Sequence, residues 1–219
     1  MLVEESKWIQ KALETEFKEG DFPLLNVGSS RLVFRTETQP HIHNNIFAPL
    51  EKKGLKVLHI DIKDDEGVDL VGDLNQKEFR EKLSDLGVKS VLCSNLLEHL
   101  PQPQLICDSI LEVLSKGDKI IVTVPYNFPF HNDPIDTMLR PNIQELSAMF
   151  PNTKVLDSAI VEQDRCFWDD LKANKRFMLI MFVRWSIPFY KFSEWKYMIK
   201  DLFRLKRKYS ATAILLEKC

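Results

Sequence analysis

Small and acidic residues follow four apolar runs of the sequence, at the points where each run ends. Gly28 ends the first run, Asp61 and Asp73 end the next two, and Ser94 and Asn95 follow the fourth. A glycine turn lets backbone amides approach a ligand closely because it carries no Cβ. A carboxylate after a second strand can accept a pair of ligand hydroxyls. We therefore expect these four turns to line one ligand-binding crevice.

A titratable cluster follows the fifth apolar run, where residues 131–136 read HNDPID. Imidazole titrates near neutral pH, so His131 is a candidate base that takes a proton from a reacting group. Asp133 or Asp136 could orient this imidazole or hold hydroxyls of a second ligand. Alternatively, His131 is a structural residue that ties a proline-rich loop to Arg140. A His-x-Asp-x-x-Asp metal site would lack a clear fourth ligand, so we expect no metal.

The elements that must position these residues alternate between strands and helices. Helical spacing of apolar residues predicts helices over residues 2–18, 76–86, 103–114 and 143–150. Apolar runs predict strands over residues 23–28, 56–61, 68–73, 90–94, 119–125, 153–161 and 210–217. This alternation predicts an α/β fold with a doubly wound, mostly parallel, seven-stranded sheet. Residues 31–54 are looser, and we expect one short helix there.

We interpret the chain as a single domain with appendages. Its parts are a leading helix in residues 1–20, a ligand-binding core in residues 22–163, a helical insertion or cap in residues 164–209, and a final strand in residues 210–219. No internal repeat and no low-complexity linker divides the sequence further.

Composition limits the class of protein. The 219 residues include 44% hydrophobic and 28% charged residues, which is typical of a globular protein. The net charge of −2 argues against a nucleic-acid binder. The four cysteines form no CxxC pair, which argues against structural zinc and fits a reducing compartment. The acidic N-terminus does not resemble a secretion signal, so we expect a cytoplasmic protein.

Positive charge is concentrated near the end of the chain. Residues 172–208 hold eleven Lys and Arg against two acids, a net of +9 that leaves −11 for the rest. Three interpretations stay open, in order of preference. The segment could be a helical cap with a solvated basic face, a peripheral contact with an anionic membrane surface, or an RNA-binding surface that stacks bases on aromatic rings. A lipid-linked glycan as ligand would give the membrane contact a purpose.

The order of these motifs resembles the class I S-adenosylmethionine-dependent methyltransferases, in particular the type 11 group. The resemblance rests on LNVGSS at residues 25–30, HID at 59–61, VGD at 71–73, SNLLEHL at 94–100 and LEVLSKGDKIIVTV at 111–124. The segment PYNFPFHNDPIDTMLRP at residues 125–141 is similar to a subgroup often associated with polysaccharide and secondary-metabolite genes. This resemblance implies a Rossmann-like methyltransferase fold and S-adenosylmethionine as the cofactor, with S-adenosylhomocysteine as its product.

The resemblance also implies a role for each motif residue. Asp61 would accept the ribose hydroxyls, Asp73 would bind the adenine amino group, and Leu74 would pack on the adenine ring. The cofactor-binding residues implied in this way are Asn26, Gly28, Ser29, Asp61, Ile62, Asp73, Leu74, Ser94, Asn95 and Leu96. For O-methylation of a saccharide or another small molecule, His131 is the candidate base with Asp133 and Asp136. His99, Tyr126 and Arg140 would contact the acceptor.

Two departures from the family pattern keep other functions open. Gly28 is followed by Ser29 and Ser30 instead of glycines, and 33 residues separate Gly28 from Asp61, where about 20 are expected. An insertion around residues 31–43 would explain the longer spacing and could form part of a lid. A catalytically silent cofactor-binding or membrane-docking protein is one alternative. An NAD(P)-dependent oxidoreductase is less favoured, because no GxGxxG follows the first strand.

Overall fold

One seven-stranded sheet organises residues 1–131, 135–189 and 191–219, the part of the chain that the computed structural model describes. The strands are β1 (Leu24–Val27), β2 (Val57–Asp61), β3 (Leu70–Val71), β4 (Ser90–Ser94), β5 (Lys119–Asn127), β6 (Thr153–Cys166) and β7 (Lys208–Lys218). Their order in the sheet is β3-β2-β1-β4-β5-β7-β6. The order reverses at β1, and ligands of open α/β sheets bind at the carboxyl ends beside such a point.

The first five strands run parallel to one another, whereas β7 pairs antiparallel with both β5 and β6. The turns after β1, β2 and β4 therefore lie at one edge of the sheet. The predicted doubly wound, mostly parallel, seven-stranded sheet is confirmed.

Helices cover both faces of this sheet. They are α1 (Val3–Glu16), α2 (Pro40–Ile42), α3 (Ala48–Lys52), α4 (Lys77–Asp85), α5 (Pro103–Val113), α6 (Ile143–Ala148), α7 (Phe167–Ala173), α8 (Lys175–Ser186) and α9 (Phe192–Leu202). Buried residues of α4, α5 and α6 belong to one apolar cluster, and those of α1, α2 and α3 belong to another. The sheet separates the two clusters.

Alternation along the central strands explains why both faces are covered. In β5, Ile120 and Val122 pack into the cluster with α4 and α5, whereas Ile121 between them packs into the cluster with α1. Successive side chains of a strand point to opposite faces, so an uninterrupted apolar run requires an apolar layer on each side. The continuous β-branched sequence of β5 meets that requirement.

Three segments differ in detail from the sequence-based expectation. Residues 34–52 form a succession of short helical turns, with Pro40 in α2 and Pro49 in α3, instead of one short helix. The prolines lack a backbone N–H and so interrupt a regular helix. Strand β3 is shorter than predicted, and β6 continues to Cys166. Within the described residues, no helix is long and apolar enough to cross a membrane.

Helices α7, α8 and α9 form a cap (residues 167–207) with a core of its own. Its buried side chains include Phe167, Leu171, Met181, Trp185 and Met198, which form a cluster separate from the two beside the sheet. The indole N–H of Trp185 donates to the carbonyl of Met198 at 3.1 Å and joins α8 to α9. Tyr209 of β7 belongs to the same cluster, and Phe128 and Phe130 pack against it, so apolar contacts also join the cap to the sheet and to the loop after β5.

Candidate functional site

The turn after β1 is tight enough to require glycine at residue 28. Gly28 has φ of +66°, and a Cβ there would lie 2.9 Å from Cδ1 of Leu96. The next residues link this turn to β2, because Ser29 N donates to the Ile60 carbonyl and Ser30 N donates to Asp61 Oδ2, both at 2.9 Å. The turns after β1, β2 and β4 therefore meet around Gly28.

Arg35 holds the outer side of the same turn. Its guanidinium donates to the carbonyls of Ser29 at 2.8 Å and Ser30 at 2.6 Å, and to the carbonyl of Gly67 at 2.8 Å. Arg35 is buried, and burial lowers its pKa. The predicted insertion around residues 31–43 therefore supplies a clamp for the serine-containing turn. Sequence analysis missed Arg35, since a lone arginine in a loose segment gives no signal.

The residues at the ends of β2 and β3 keep some capacity to bind a ligand. Asp61 is half-buried; its Oδ1 accepts from Lys63 N at 3.1 Å and its Oδ2 from Ser30 N. Each carboxylate oxygen can accept a second hydrogen bond. Ile62 is 71% exposed beside it. Asp73 Oδ1 accepts from Asn75 N at 2.9 Å.

Two other predicted cofactor residues are buried in the protein itself. Leu74 is 3% exposed and packs in the cluster with α4. Asn26, inside β1, is buried, and its side-chain amide lies 2.9 Å from Nδ1 of His59 in β2. A direct contact of either side chain with the cofactor stays a prediction.

A buried carboxylate on α1 reaches the ends of β4 and β5. Glu5 is fully buried, and its Oε1 accepts from Asn95 Nδ2 and from Thr123 Oγ1, both at 2.6 Å. Asn95 has φ of +50°, which directs the chain sharply away from the strand end at Ser94. Sequence analysis placed α1 only as an amphipathic helix. The structure shows in addition that Glu5 of this helix forms part of the wall of the candidate site.

The loop after β5 holds a His–Asp–Arg chain of contacts. His131 Nδ1 lies 3.1 Å from Asp136 Oδ2, and Arg140 donates to the same oxygen at 2.7 Å. Burial raises the pKa of Asp136, but the hydrogen bonds from His131 and Arg140 outweigh burial and hold it well below its usual range. Burial lowers the pKa of His131, and Asp136 outweighs this effect and raises it. Asp133, which was predicted to orient His131 or to hold acceptor hydroxyls, lies outside the described residues.

Glu98 and His99 face this loop from the helical turn Leu97–His99 after β4. His99 Nδ1 lies 2.5 Å from the carbonyl of Ile135, and its ring centroid lies 5.2 Å from that of His131. Glu98 is fully buried, and neither carboxylate oxygen has a hydrogen-bond partner among the residues that the structure describes. Burial raises the pKa of Glu98 to about 7.

Solved structures of low sequence identity share this architecture. A SAM-dependent methyltransferase from Archaeoglobus fulgidus has a TM-score of 0.53 at 13% identity, over 97% of this chain and 94% of that one. A coclaurine N-methyltransferase, solved with N-methylheliamine and SAH, has a TM-score of 0.53 at 14% identity, over 98% of this chain and 70% of that one. The chain has the class I SAM-dependent methyltransferase fold. No protein-family profile matches the sequence, and no curated protein matches it.

The methyltransferase fold does not by itself fix a reaction. The cyclase SpnF has a TM-score of 0.57 at 13% identity, over 97% of this chain and 81% of that one. The reaction therefore depends on the residues at the strand ends.

The predicted acceptor residues lie further along the same edge of the methyltransferase fold. Tyr126 is 40% exposed and, with Arg140, lines a cavity of about 540 Å³ beside the start of β7. Arg204, Arg207 and Lys208 also line it. Because the guanidinium of Arg140 already binds Asp136, its established contact is with the loop. The cap thus brings Arg204 and Arg207 to this cavity, which Glu145 and Glu162 also line.

Proposed function

We propose that this chain is an S-adenosylmethionine-dependent methyltransferase that acts on an oxygen of a saccharide or another small molecule. The observation that carries the proposal is the turn after β1. Gly28 packs against Leu96, and the turn is bonded through Ser30 to the carboxylate of Asp61. Three strand ends therefore form one continuous surface, with a glycine where a Cβ would intrude.

The residues present fit this cofactor. When bound, S-adenosylmethionine supplies a methyl group activated by a positively charged sulfur. Gly28 and Ser29 would border its amino-acid end, and Asp61 has unused lone pairs for ribose hydroxyls. Ile62 and Asp73 would border the adenine, with Leu74 beneath them. Ser94, Asn95 and Leu96 would border the methyl group, where Glu5 holds the Asn95 amide in place.

On the acceptor side, His131 would take the proton of the acceptor hydroxyl. Asp136 would orient the imidazole of His131. The Nδ1 contact with Asp136 leaves Nε2 of the imidazole as the proton acceptor. His99 and Tyr126 border the same space, and Arg140 keeps Asp136 ionised. Asp133 stays a prediction for the same loop.

The experiment is calorimetric titration with S-adenosylhomocysteine, with NAD⁺ and NADPH titrated separately. We expect binding of the homocysteine compound alone, weakened about 10- to 100-fold in Asp61→Asn, because a charged hydrogen bond contributes about 1.5–3 kcal/mol. The matched control is Asp64→Asn, which removes an exposed carboxylate of the same loop. Binding of NAD⁺ instead would favour the oxidoreductase alternative. Binding without methyl transfer to any of a panel of hydroxyl acceptors would favour the silent cofactor-binding protein.

The surface of the cap supports peripheral membrane contact as a second part of this proposal. Although Trp185 and Met198 are buried, Leu179 is 65%, Phe189 95% and Phe203 82% exposed. These side chains lie in the segment with a net charge of +9. Exposed apolar groups beside cations suit an anionic lipid surface.

Sedimentation with vesicles tests this contact. The double variant Leu179→Ser/Phe189→Ser should lose binding to vesicles that contain phosphatidylserine, while Leu105→Ser, which replaces a 48% exposed leucine of α5, should not. Equal sedimentation of the unaltered chain, the double variant and Leu105→Ser would contradict the membrane contact. Binding of RNA in place of vesicles would favour the third interpretation of the segment.

A further inference from the structure

Three side chains that can bind a metal converge between β4 and the loop after β5. One ligand atom from each of Glu98, His99 and His131 lies within 4.8 Å of the other two. Oε1 of Glu98 is 3.7 Å from Nε2 of His99. A tetrahedral ion with bonds of about 2.1 Å separates its ligand atoms by about 3.4 Å. The cluster therefore needs only small side-chain movements to surround an ion.

Both imidazoles are held by their other ring nitrogen. Nδ1 of His99 contacts the carbonyl of Ile135, and Nδ1 of His131 contacts the carboxylate of Asp136. Metal-binding histidines characteristically donate one ring N–H to a carboxylate or carbonyl, which leaves the other nitrogen free for the metal. Arg140 fixes Asp136 in turn. Two histidines are thus oriented in the manner of metal ligands.

The carboxylate of Glu98 gives an independent observation that points to a bound cation. Its carboxylate is fully buried, and both oxygens are without a hydrogen-bond partner in the described part of the chain. Its backbone carbonyl, in contrast, accepts from the backbone N–H and the hydroxyl of Thr137 at 2.9 and 3.0 Å. The turn is therefore firmly placed, and the carboxylate is aimed into the cluster. A buried carboxylate is costly unless it is paired or binds a metal.

We propose that Glu98, His99 and His131 bind one divalent transition-metal ion such as Zn²⁺. Two imidazoles and one carboxylate match the ligand sets of zinc sites that keep an open position and of 2-His-1-carboxylate iron sites. The proposal replaces the sequence-based expectation that the chain holds no metal. It also makes His131 a ligand, so the imidazole would no longer be the base.

The consequence for catalysis rests on the proposed function. An acceptor hydroxyl at the open position would lose its proton to water more readily, because a metal lowers the pKa of a bound oxygen acid. The deprotonated oxygen then forms the new O–CH₃ bond. The CH₃–S bond breaks and leaves its electron pair on sulfur. The metal thus favours acceptors with a hydroxyl that can coordinate it.

Cobalt and zinc binding to the full chain tests the proposal. After removal of metal with EDTA and dialysis, we expect the protein to bind one equivalent of Zn²⁺ in calorimetry. Co²⁺ should give visible absorption bands that Zn²⁺ abolishes. Glu98→Gln and His131→Gln should weaken binding at least 100-fold, and Asp136→Asn about 10- to 100-fold. His43→Gln, which changes a histidine outside the cluster, should bind like the unaltered protein.

A measurement of stability separates a lost ligand from a misfolded variant. Without metal, Glu98→Gln should be at least as stable as the unaltered chain, because it removes an unpartnered buried charge, yet Zn²⁺ should no longer raise its melting temperature. Failure of the unaltered protein to take up stoichiometric Zn²⁺ or Co²⁺, or equal uptake by Glu98→Gln, would overturn the proposal. Titration with S-adenosylhomocysteine in parallel distinguishes failure of the metal site from failure of the methyltransferase function.

Discussion

Replacing Gly28 with alanine tests whether the turn after β1 forms the cofactor surface. Two effects of the added methyl can be separated. The positive φ of +66° costs a non-glycine residue about 1–2 kcal/mol. In addition, the methyl would lie 2.9 Å from Cδ1 and 3.1 Å from Cδ2 of Leu96. Overpacking of this kind costs about 1–3 kcal/mol, because Leu96 must move.

Gly87 offers a matched control. It also has a positive φ, of +70°, but a Cβ there would meet nothing within 4 Å. Gly87→Ala should therefore lower the free energy of unfolding by about 1 kcal/mol and leave cofactor affinity unchanged. Gly28→Ala should lower it by about 3 kcal/mol, as the sum of strain and contact.

The assays are urea unfolding followed by circular dichroism and calorimetry with S-adenosylhomocysteine. Since Leu96 borders the expected position of the methyl group, its displacement should weaken binding at least tenfold, equivalent to about 1.4 kcal/mol. The reasoning is refuted if both alanine variants lose the same stability and Gly28→Ala binds the ligand as tightly as the unaltered chain.

Three further substitutions have effects that the structure specifies. Burial lowers the pKa of His59 to about 4, and Asn26 donates to its Nδ1. As pH falls, the imidazole of His59 is therefore protonated in the unfolded chain before it is protonated in the folded chain. The free energy of unfolding should fall by up to about 3 kcal/mol from pH 6.5 to 4. Urea unfolding of His59→Gln should not show this loss. Burial raises the pKa of Asp201 to about 7, so the group destabilises the fold increasingly as pH rises from about 4 to 7. Asp201→Asn should melt several degrees higher than the unaltered protein at pH 8 and equally at pH 3.5; a lower melting temperature at pH 8 would contradict this. Arg35→Met removes one hydrogen bond from each of three carbonyls and should weaken S-adenosylhomocysteine binding in calorimetry. Unchanged affinity would show that the clamp is dispensable.

The doubly wound sheet and its seven strands could be predicted from sequence, because helical segments alternate with short apolar runs. The run of β5 is uninterrupted, and its burial on both faces is what such a run predicts. The full length of β6 could not be predicted. Its last residues, Glu162 to Cys166, are polar and lie on an edge strand, where one neighbour suffices and no apolar pattern is needed.

Sequence could place the residues that directly follow strands and the His131–Asp136 contact within one short loop. Gly28 and Asp61 are of this kind, and the structure joins them through Ser30. Glu5 was missed, because its partner Asn95 is 90 residues away and an acid on an amphipathic helix predicts a solvated side chain. Glu98 lies in the recognised motif SNLLEHL. Its burial without a hydrogen-bond partner depends on the position of the loop after β5, which the spacing of residues in the sequence does not predict.

The route by which the chain enters and leaves the cap has an evolutionary consequence. Cys166 at the end of β6 and Lys208 at the start of β7 are paired neighbours across the antiparallel ladder. The residues between them leave the sheet and return at the same rung, and most of the cap's apolar cluster comes from them. Removal of this segment would leave a β6–β7 hairpin and would uncover Tyr209 and Phe128, which pack on the cap. The two ends of the cap therefore allow it to be exchanged as one module without a change at Gly28 or Asp61.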